Sequence, residues 1–166
     1  MKIILFFLLL IPGFSYSQLI KSNQLDSITK QRRIVTKDVG VLAAVSFKNG
    51  LQSITFNTIN KNIYIVLHGK GKDAGTILQD DIAFLFTEKD TITIKSIGVQ
   101  TCYGREEPLF FDHQYSITKD DLIKLSKNKL TSVRRFTSIG IFDLPINARY
   151  QGDIIEVCIA LLKEMN

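Results

Sequence analysis

Between Val41 and Ser116 the chain repeatedly alternates apolar and polar residues with a period of two. In VLAAVSF, Val41, Ala43, Val45 and Phe47 share one side; in SITFNT, Ile54 and Phe56 oppose Ser53, Thr55 and Asn57. NIYIVLH sets Ile63, Ile65 and Leu67 on one face, and TITIKSI sets Ile92 and Ile94 against Thr91, Thr93 and Lys95. Successive side chains of a strand leave opposite faces, so each segment offers one face to a core and one to water. That pattern belongs to antiparallel sheets.

Turn signals punctuate the strands. Lys48-Asn49-Gly50 contains an Asn-Gly step, whose residues tolerate positive φ and suit a tight hairpin. Asn60-Lys61-Asn62 and Glu88-Lys89-Asp90 mark two further turns. With IAFLFT included, five strands joined in this way form a meander. Gly98 to Pro108 then reads as a longer loop, and LFFDHQYS as a sixth strand.

The period changes at Thr118. Thr118 and Asp121 form an N-terminal capping pair, and Asp120 and Asp121 suit the positive end of the helix dipole. A helix of about three turns is expected there. LTSVRRFTS and GIFDLPI read as a second hairpin about Gly140, with Pro145 placed where an edge strand tolerates it. Asn147 caps a long helix running to about Met165, with Ile154, Ile155, Cys158, Leu161, Leu162 and Met165 at helical spacing. The expected fold is α+β: an antiparallel sheet of about six to eight strands, packed by the long C-terminal helix, with one short helix between hairpins. Residues 41–166 form a single domain. Residues 18–40 are polar, carry the cluster Lys30, Arg32 and Arg33, and read as a flexible N-terminal arm that joins the fold near Ile34-Val35.

The first 17 residues have a different character. Lys2 precedes an apolar run from Ile3 to Ile11, then Pro12-Gly13, then Ser15-Tyr16-Ser17. A positive start, a short apolar centre and small residues before a cut describe a cleaved secretory signal peptide. The run is too short for a membrane span of about 20 residues. Cleavage is expected between Ser17 and Gln18, and the absence of cysteine at 18 leaves no thiol for a lipid anchor. These features predict a bacterial protein that is secreted or periplasmic, not a lipoprotein, with no membrane span after signal removal. Of 166 residues, loss of 17 leaves 149, enough for one domain with a core. The formal charge of +5 falls to +4 without Lys2 and is spread along the chain. It makes no clustered nucleic-acid footprint.

The stretch TCYGREEPLFFDHQYSIT concentrates reactive residue types, yet its spacing argues against a site. Asp112 and His113 are strand neighbours, so they face opposite sides of the sheet. Glu106 and Glu107 are adjacent and likewise do not build a facing carboxylate pair. His68 and His113 lack a second His or Cys within four positions, so no zinc spacing exists. There is no GxSxG and no activated nucleophile in sequence. The loop HGKGKDAGT is neither GxGxxG nor GxxxxGK[ST], and no helix follows it, which leaves only a loose anion contact at Lys70 and Lys72. Arg134 and Arg135 should leave opposite faces, one snorkelling or pairing with an acid and the other solvated. Cys102 and Cys158 are too few for a disulfide framework, and both are expected as free thiols.

No catalytic residue, metal ligand or cofactor-binding residue stands out, and no cofactor is implied. The expectation is a non-catalytic binding or interaction module whose partner is a protein or an apolar ligand of the cell envelope, with no nucleic acid. A small envelope hydrolase using Cys102 or the Glu106-Glu107 loop, and an inhibitor of a foreign enzyme, are the alternatives.

Overall fold

A computed structural model describes residues 18–46, 49–70, 81–103, 110–138 and 140–166. The proposed leader and its cut at Ser17 therefore lie outside the described residues. Among the described residues ten strands and two helices follow in the order β1 (Ile20–Leu25), β2 (Arg32–Thr36), β3 (Val39–Ser46), β4 (Asn49–Ile59), β5 (Asn62–Lys70), β6 (Ile82–Thr87), β7 (Thr91–Tyr103), β8 (Phe110–Ile117), α1 (Lys119–Leu125), β9 (Leu130–Thr137), β10 (Gly140–Pro145) and α2 (Ala148–Met165). The fold is α+β with an antiparallel sheet and a long C-terminal helix, but the sheet is larger than six to eight strands.

The strands form one open sheet in the order β1-β2-β4-β5-β8-β7-β6-β9-β10, and β3 also pairs with β4. This is not the expected meander. Hairpins formed where short turns dictated them: β4 meets β5 across Asn60 and Lys61, with Asn60 at a φ of 58°, and β6 meets β7. The partner of β5 is β8, not β6. Local turn chemistry fixes neighbours joined by two or three residues and is silent about edges that meet across longer connections. The Asn-Gly step also sits differently. Ser46 pairs with Asn49, so Asn49 and Gly50 open β4 rather than making the turn, and residues 47 and 48 lie outside the described set.

Residues 18–40 are not a loose arm. β1 and β2 pair as a hairpin, and β2 pairs with the end of β4. The hairpin turn is held by Asp26, whose Oδ1 accepts from the Ile28 and Thr29 amides and the Thr29 hydroxyl. The charged residues of the segment obscure one buried anchor: Ile34 is 2 % exposed and faces the core. Arg32 reaches Asn23 and Glu164, tying the hairpin to the end of α2.

β2 and β3 pair in succession with the same edge of β4. Val35 pairs with Asn57 and Val39 with Ile54, so four steps on one strand oppose three on the other. One extra residue is a β-bulge. The Phe56 amide, displaced from a backbone partner there, donates to Thr36 Oγ1 at 3.0 Å.

The inward face of the sheet carries the periodic residues read from sequence, among them Ile54, Phe56, Ile65, Leu67, Ile92 and Ile94. α2 packs on β1, β2, β3, β4 and β9, and on α1, while β3 approaches β10. Strands from both ends of the sheet thus reach one helix, and the sheet is curled around it. The buried stripe of α2 is Ile154, Val157, Cys158, Ala160 and Leu161, capped by Asn147, whose side chain accepts from the Arg149 amide. Each large apolar side chain so buried contributes about 1.5–3 kcal/mol. Cys158 is a free thiol, and burial pushes its ionisation far up, which removes its reactivity. α1 is shorter than expected at seven residues, with Thr118 capping the Asp121 amide as read from sequence. No helix among the described residues is long and apolar enough to cross a membrane.

If the β1–β2 segment is part of the folded sheet, Ile34→Ala should lower the unfolding free energy by about 2–4 kcal/mol. Urea unfolding followed by circular dichroism measures this; a loose arm would leave the midpoint unchanged.

Candidate functional site

The outer face of a curled sheet is expected to be plain solvated surface. Here it holds a cleft of about 260 Å3 crossing six strands, lined chiefly by Lys21, Arg33, Asp38, Thr55, His68 and Asp112. Thr55 of β4, Val66 and His68 of β5, and Asp112 and Gln114 of β8 reach it by the same alternation that sends their neighbours into the core. His68 and Asp112 are directly opposite in the β5–β8 register.

Four side chains form a continuous hydrogen-bonded chain. Asp112 Oδ1 lies 2.7 Å from His68 Nδ1, His68 Nε2 lies 2.7 Å from Thr55 Oγ1, and Thr55 Oγ1 donates to Asp38 Oδ1 at 2.7 Å. Asp38 comes from the bulge between β2 and β3. The protons can be counted. Thr55 has one, spent on Asp38, so His68 Nε2–H must donate to Thr55 Oγ1. Three contacts therefore join two carboxyl groups, one imidazole and one hydroxyl into a single unit.

The sequence carboxylate, imidazole, hydroxyl matches the order of a nucleophile relay. Two observations weigh against that role for Thr55. Its hydroxyl proton points to Asp38 and not to His68, and the residue is only 5 % exposed. His68 and Asp112 are more open, with side chains 25 % and 30 % exposed. Across the cleft, Lys21 and Arg33 have no ion-pair partner among the described residues. Among those residues no three His, Cys, Asp or Glu side chains converge to hold a metal ion.

Asp112 and His113 do face opposite sides of the sheet. Asp112 joins the outer chain, and His113 is buried in the core. Lys70 places its ammonium 5.5 Å from the centre of the Phe110 ring and takes no part in the cleft. Lys72, Glu106 and Glu107 lie outside the described residues, as does the Cys102 side chain. The backbone of Cys102 lies in β7, paired with Phe111, so Gly98 to Tyr103 is strand and not loop.

Arg134 and Arg135 part as expected, but neither ends as a solvated, unattached side chain. Arg134 binds Asp143 with two bonds, Nε to Oδ1 at 2.6 Å and Nη2 to Oδ2 at 2.8 Å. Arg135 is 2 % exposed. Its guanidinium lies 4.2 Å from the Phe111 ring centre and 5.3 Å from that of Phe142, within cation–π reach of both. Nη1 lies 3.1 Å from His113 Nδ1. A guanidinium only donates, so Nδ1 accepts and the His113 ring proton sits on Nε2. Burial pushes the Arg135 guanidinium down to about 10, which still leaves it cationic near neutral pH. Burial likewise pushes the Tyr115 hydroxyl up to about 12, offset in part by the charge of Arg135.

No known protein family, characterised protein or solved structure matches the chain. The outer cleft was missed in sequence because its members are far apart along the chain and His68 read as part of a glycine-rich loop. One signal was present: Tyr64, Val66 and His68 continue the alternation of β5, which already placed His68 on the outer face.

Thr55→Val keeps the shape and removes the hydroxyl between two polar groups. It should destabilise the fold by about 1–3 kcal/mol, and Thr55→Ser should restore most of the loss, both read by chemical denaturation. The Tyr115 hydroxyl gives a separate signature in alkali. Its folded value lies above the unfolded one, so its contribution to stability is complete below about 10 and is lost as pH rises through about 12. Absorbance titration should show one tyrosine ionising last, a step missing in Tyr115→Phe, and the variant should lose less stability than wild type over that range.

Proposed function

We propose that this protein is a secreted or periplasmic binding module, without catalysis of its own, whose outer-face cleft receives a small polar ligand bearing an anionic group. The observation that carries the reading is the division of charge around the cleft. Lys21 and Arg33 stand without ion-pair partners among the described residues, while Asp38 and Asp112 are already engaged through Thr55 and His68. The cations suit a carboxylate or other anion, and the acidic chain suits hydroxyl or ammonium donors on the same ligand. Acidic sugars and amino acids have that chemistry. An apolar ligand does not suit this cleft, and the apolar face of α2 is spent on the core.

The second reading is a hydrolase in which Thr55 attacks, His68 removes its proton and Asp112 orients the ring. The linear order of those three groups favours it, and the Thr55 bond to Asp38 opposes it.

Titration of the mature chain with glucuronate, galacturonate and glutamate, followed by amide and side-chain NMR shifts, separates the readings. Binding should move Lys21, Arg33, His68 and Asp112 together and saturate, and the double variant Lys21→Ala, Arg33→Ala should weaken it by about tenfold or more. Absence of any saturable response in those residues across acidic sugars and amino acids would sink the binding reading. A fluorophosphonate adduct on Thr55, seen by intact mass, would replace it with the hydrolase.

A further inference from the structure

The outer cleft carries charge of opposite sign at its two ends. Arg33 stands opposite Ile59 of β4. Lys21, one strand further out, is flanked by Ile20 and Ser22, which pair with Thr36 and Val35. Thr55, in the middle of the acidic chain, lies four residues along β4 from Ile59, a backbone distance of about 13 Å. Asp38, His68 and Asp112 gather at that far end. Among the described residues no ion pair joins either cation to either acid. Two cations and two carboxylates thus line one cleft of about 260 Å3 without neutralising each other.

Neither acid is fully used. Asp38 accepts from Thr55 through Oδ1, and Asp112 meets His68 through Oδ1. The second oxygen of each takes no hydrogen bond from a described residue, and both side chains are open to water. Between the two ends the floor of the cleft includes Val35, Asn57 and Val66. Asn57 is 8 % exposed, and its Oδ1 has no hydrogen-bond partner. A buried amide in that condition costs stability until a partner completes it. Rotation about its last side-chain bond is soft, so it can turn either its oxygen or its nitrogen to a group lying above it.

We propose that the outer cleft binds a short linear peptide that carries both of its terminal charges. Its α-carboxylate takes Arg33 and Lys21. Its α-ammonium takes the second oxygens of Asp38 and Asp112, and a peptide group between the ends meets Asn57 above the two valines. This rests on the cleft being the binding site proposed above, and gives its ligand a second charge. An extended chain covers about 3.3–3.6 Å per residue, so two or three residues span about 7–10 Å. The long side chains of Arg33 and Lys21 make up the rest. A free α-amino acid holds its two charges too close together to serve both ends. A sugar acid satisfies the cations but brings no cation to the carboxylates, where a charged donor bonds about twice as strongly as a neutral one.

The test uses the full mature chain, labelled with 15N, and follows the resonances of Arg33, Asn57, His68 and Asp112. Trialanine is the probe. N-acetyl-trialanine lacks the ammonium, and trialanine amide lacks the carboxylate. Trialanine should shift these resonances saturably, and either cap should weaken binding by about tenfold or more. Pairing each cap with a variant then assigns the ends. Asp112→Asn should lose the discrimination against the acetyl cap while keeping that against the amide cap. Arg33→Gln, at an exposed position, should do the reverse. If glucuronate binds but N-acetyl-trialanine equals trialanine, the ammonium has no role; the proposal is overturned and the cleft remains a site for anionic ligands. Variants that leave both discriminations intact overturn it too. If trialanine, glucuronate and glutamate all leave the four residues unmoved, the peptide and the binding reading fall together.

Discussion

One extra residue between Val35 and Val39 organises both faces of this sheet. Ile34 and Thr36 face the core, and so does Val39. Three steps separate Thr36 from Val39, which strict alternation forbids for residues on one face. Without the bulge, Asp38 would enter the core beside Thr36 and Val39 would turn to water. With it, Asp38 swings outward to accept from Thr55, and the Thr36 hydroxyl satisfies the Phe56 amide left over at the irregularity. The same step lets β2 and β3 share one edge of β4 while β3 bends toward α2 and β10. Curl, core and outer cleft therefore depend on a single change of parity.

β8 is the wall between the two polar clusters. Its alternation sends Asp112 and Gln114 to the outer cleft and Phe111, His113 and Tyr115 inward. Asp112 and His113 look like a dyad on paper, yet each belongs to a different assembly on a different side of the sheet. The histidine that Asp112 does meet is His68, brought opposite by the β5–β8 register. Pairing of strands 44 residues apart does in space what adjacency in sequence cannot.

What was legible in the sequence was whatever alternation and capping encode. Ile54, Ile65, Ile92 and Ile94 are core, Thr118 and Asn147 cap helices, and the α2 stripe is buried, because each rests on neighbours within a turn or a strand. Strand order was not legible, because β5 and β8 are separated along the chain by β6 and β7, farther than any turn signal reaches. The β1–β2 hairpin was hidden by composition: Lys30, Arg32 and Arg33 read as solvated, and the apolar Ile34-Val35 that follows them gave too short a pattern. The outer chain was hidden for a third reason. Asp38 reaches it only through a bulge, and a bulge shifts parity without leaving a glycine or proline to mark it.

Arg134 and Arg135 show how little residue type decides by itself. One position apart, they meet opposite environments because the strand alternates. Arg134 stays at the surface, where its paired bonds to Asp143 compete with water and are worth little. Arg135 has lost its hydration and found ring faces and one imidazole nitrogen, which offset the loss without neutralising the charge. A buried ion pair is often replaceable by an apolar side chain at no loss of stability, and a buried ion without its counterion is less favourable still. The packing of Phe111, Phe142 and His113 about Arg135 thus holds a charge in place rather than removing it.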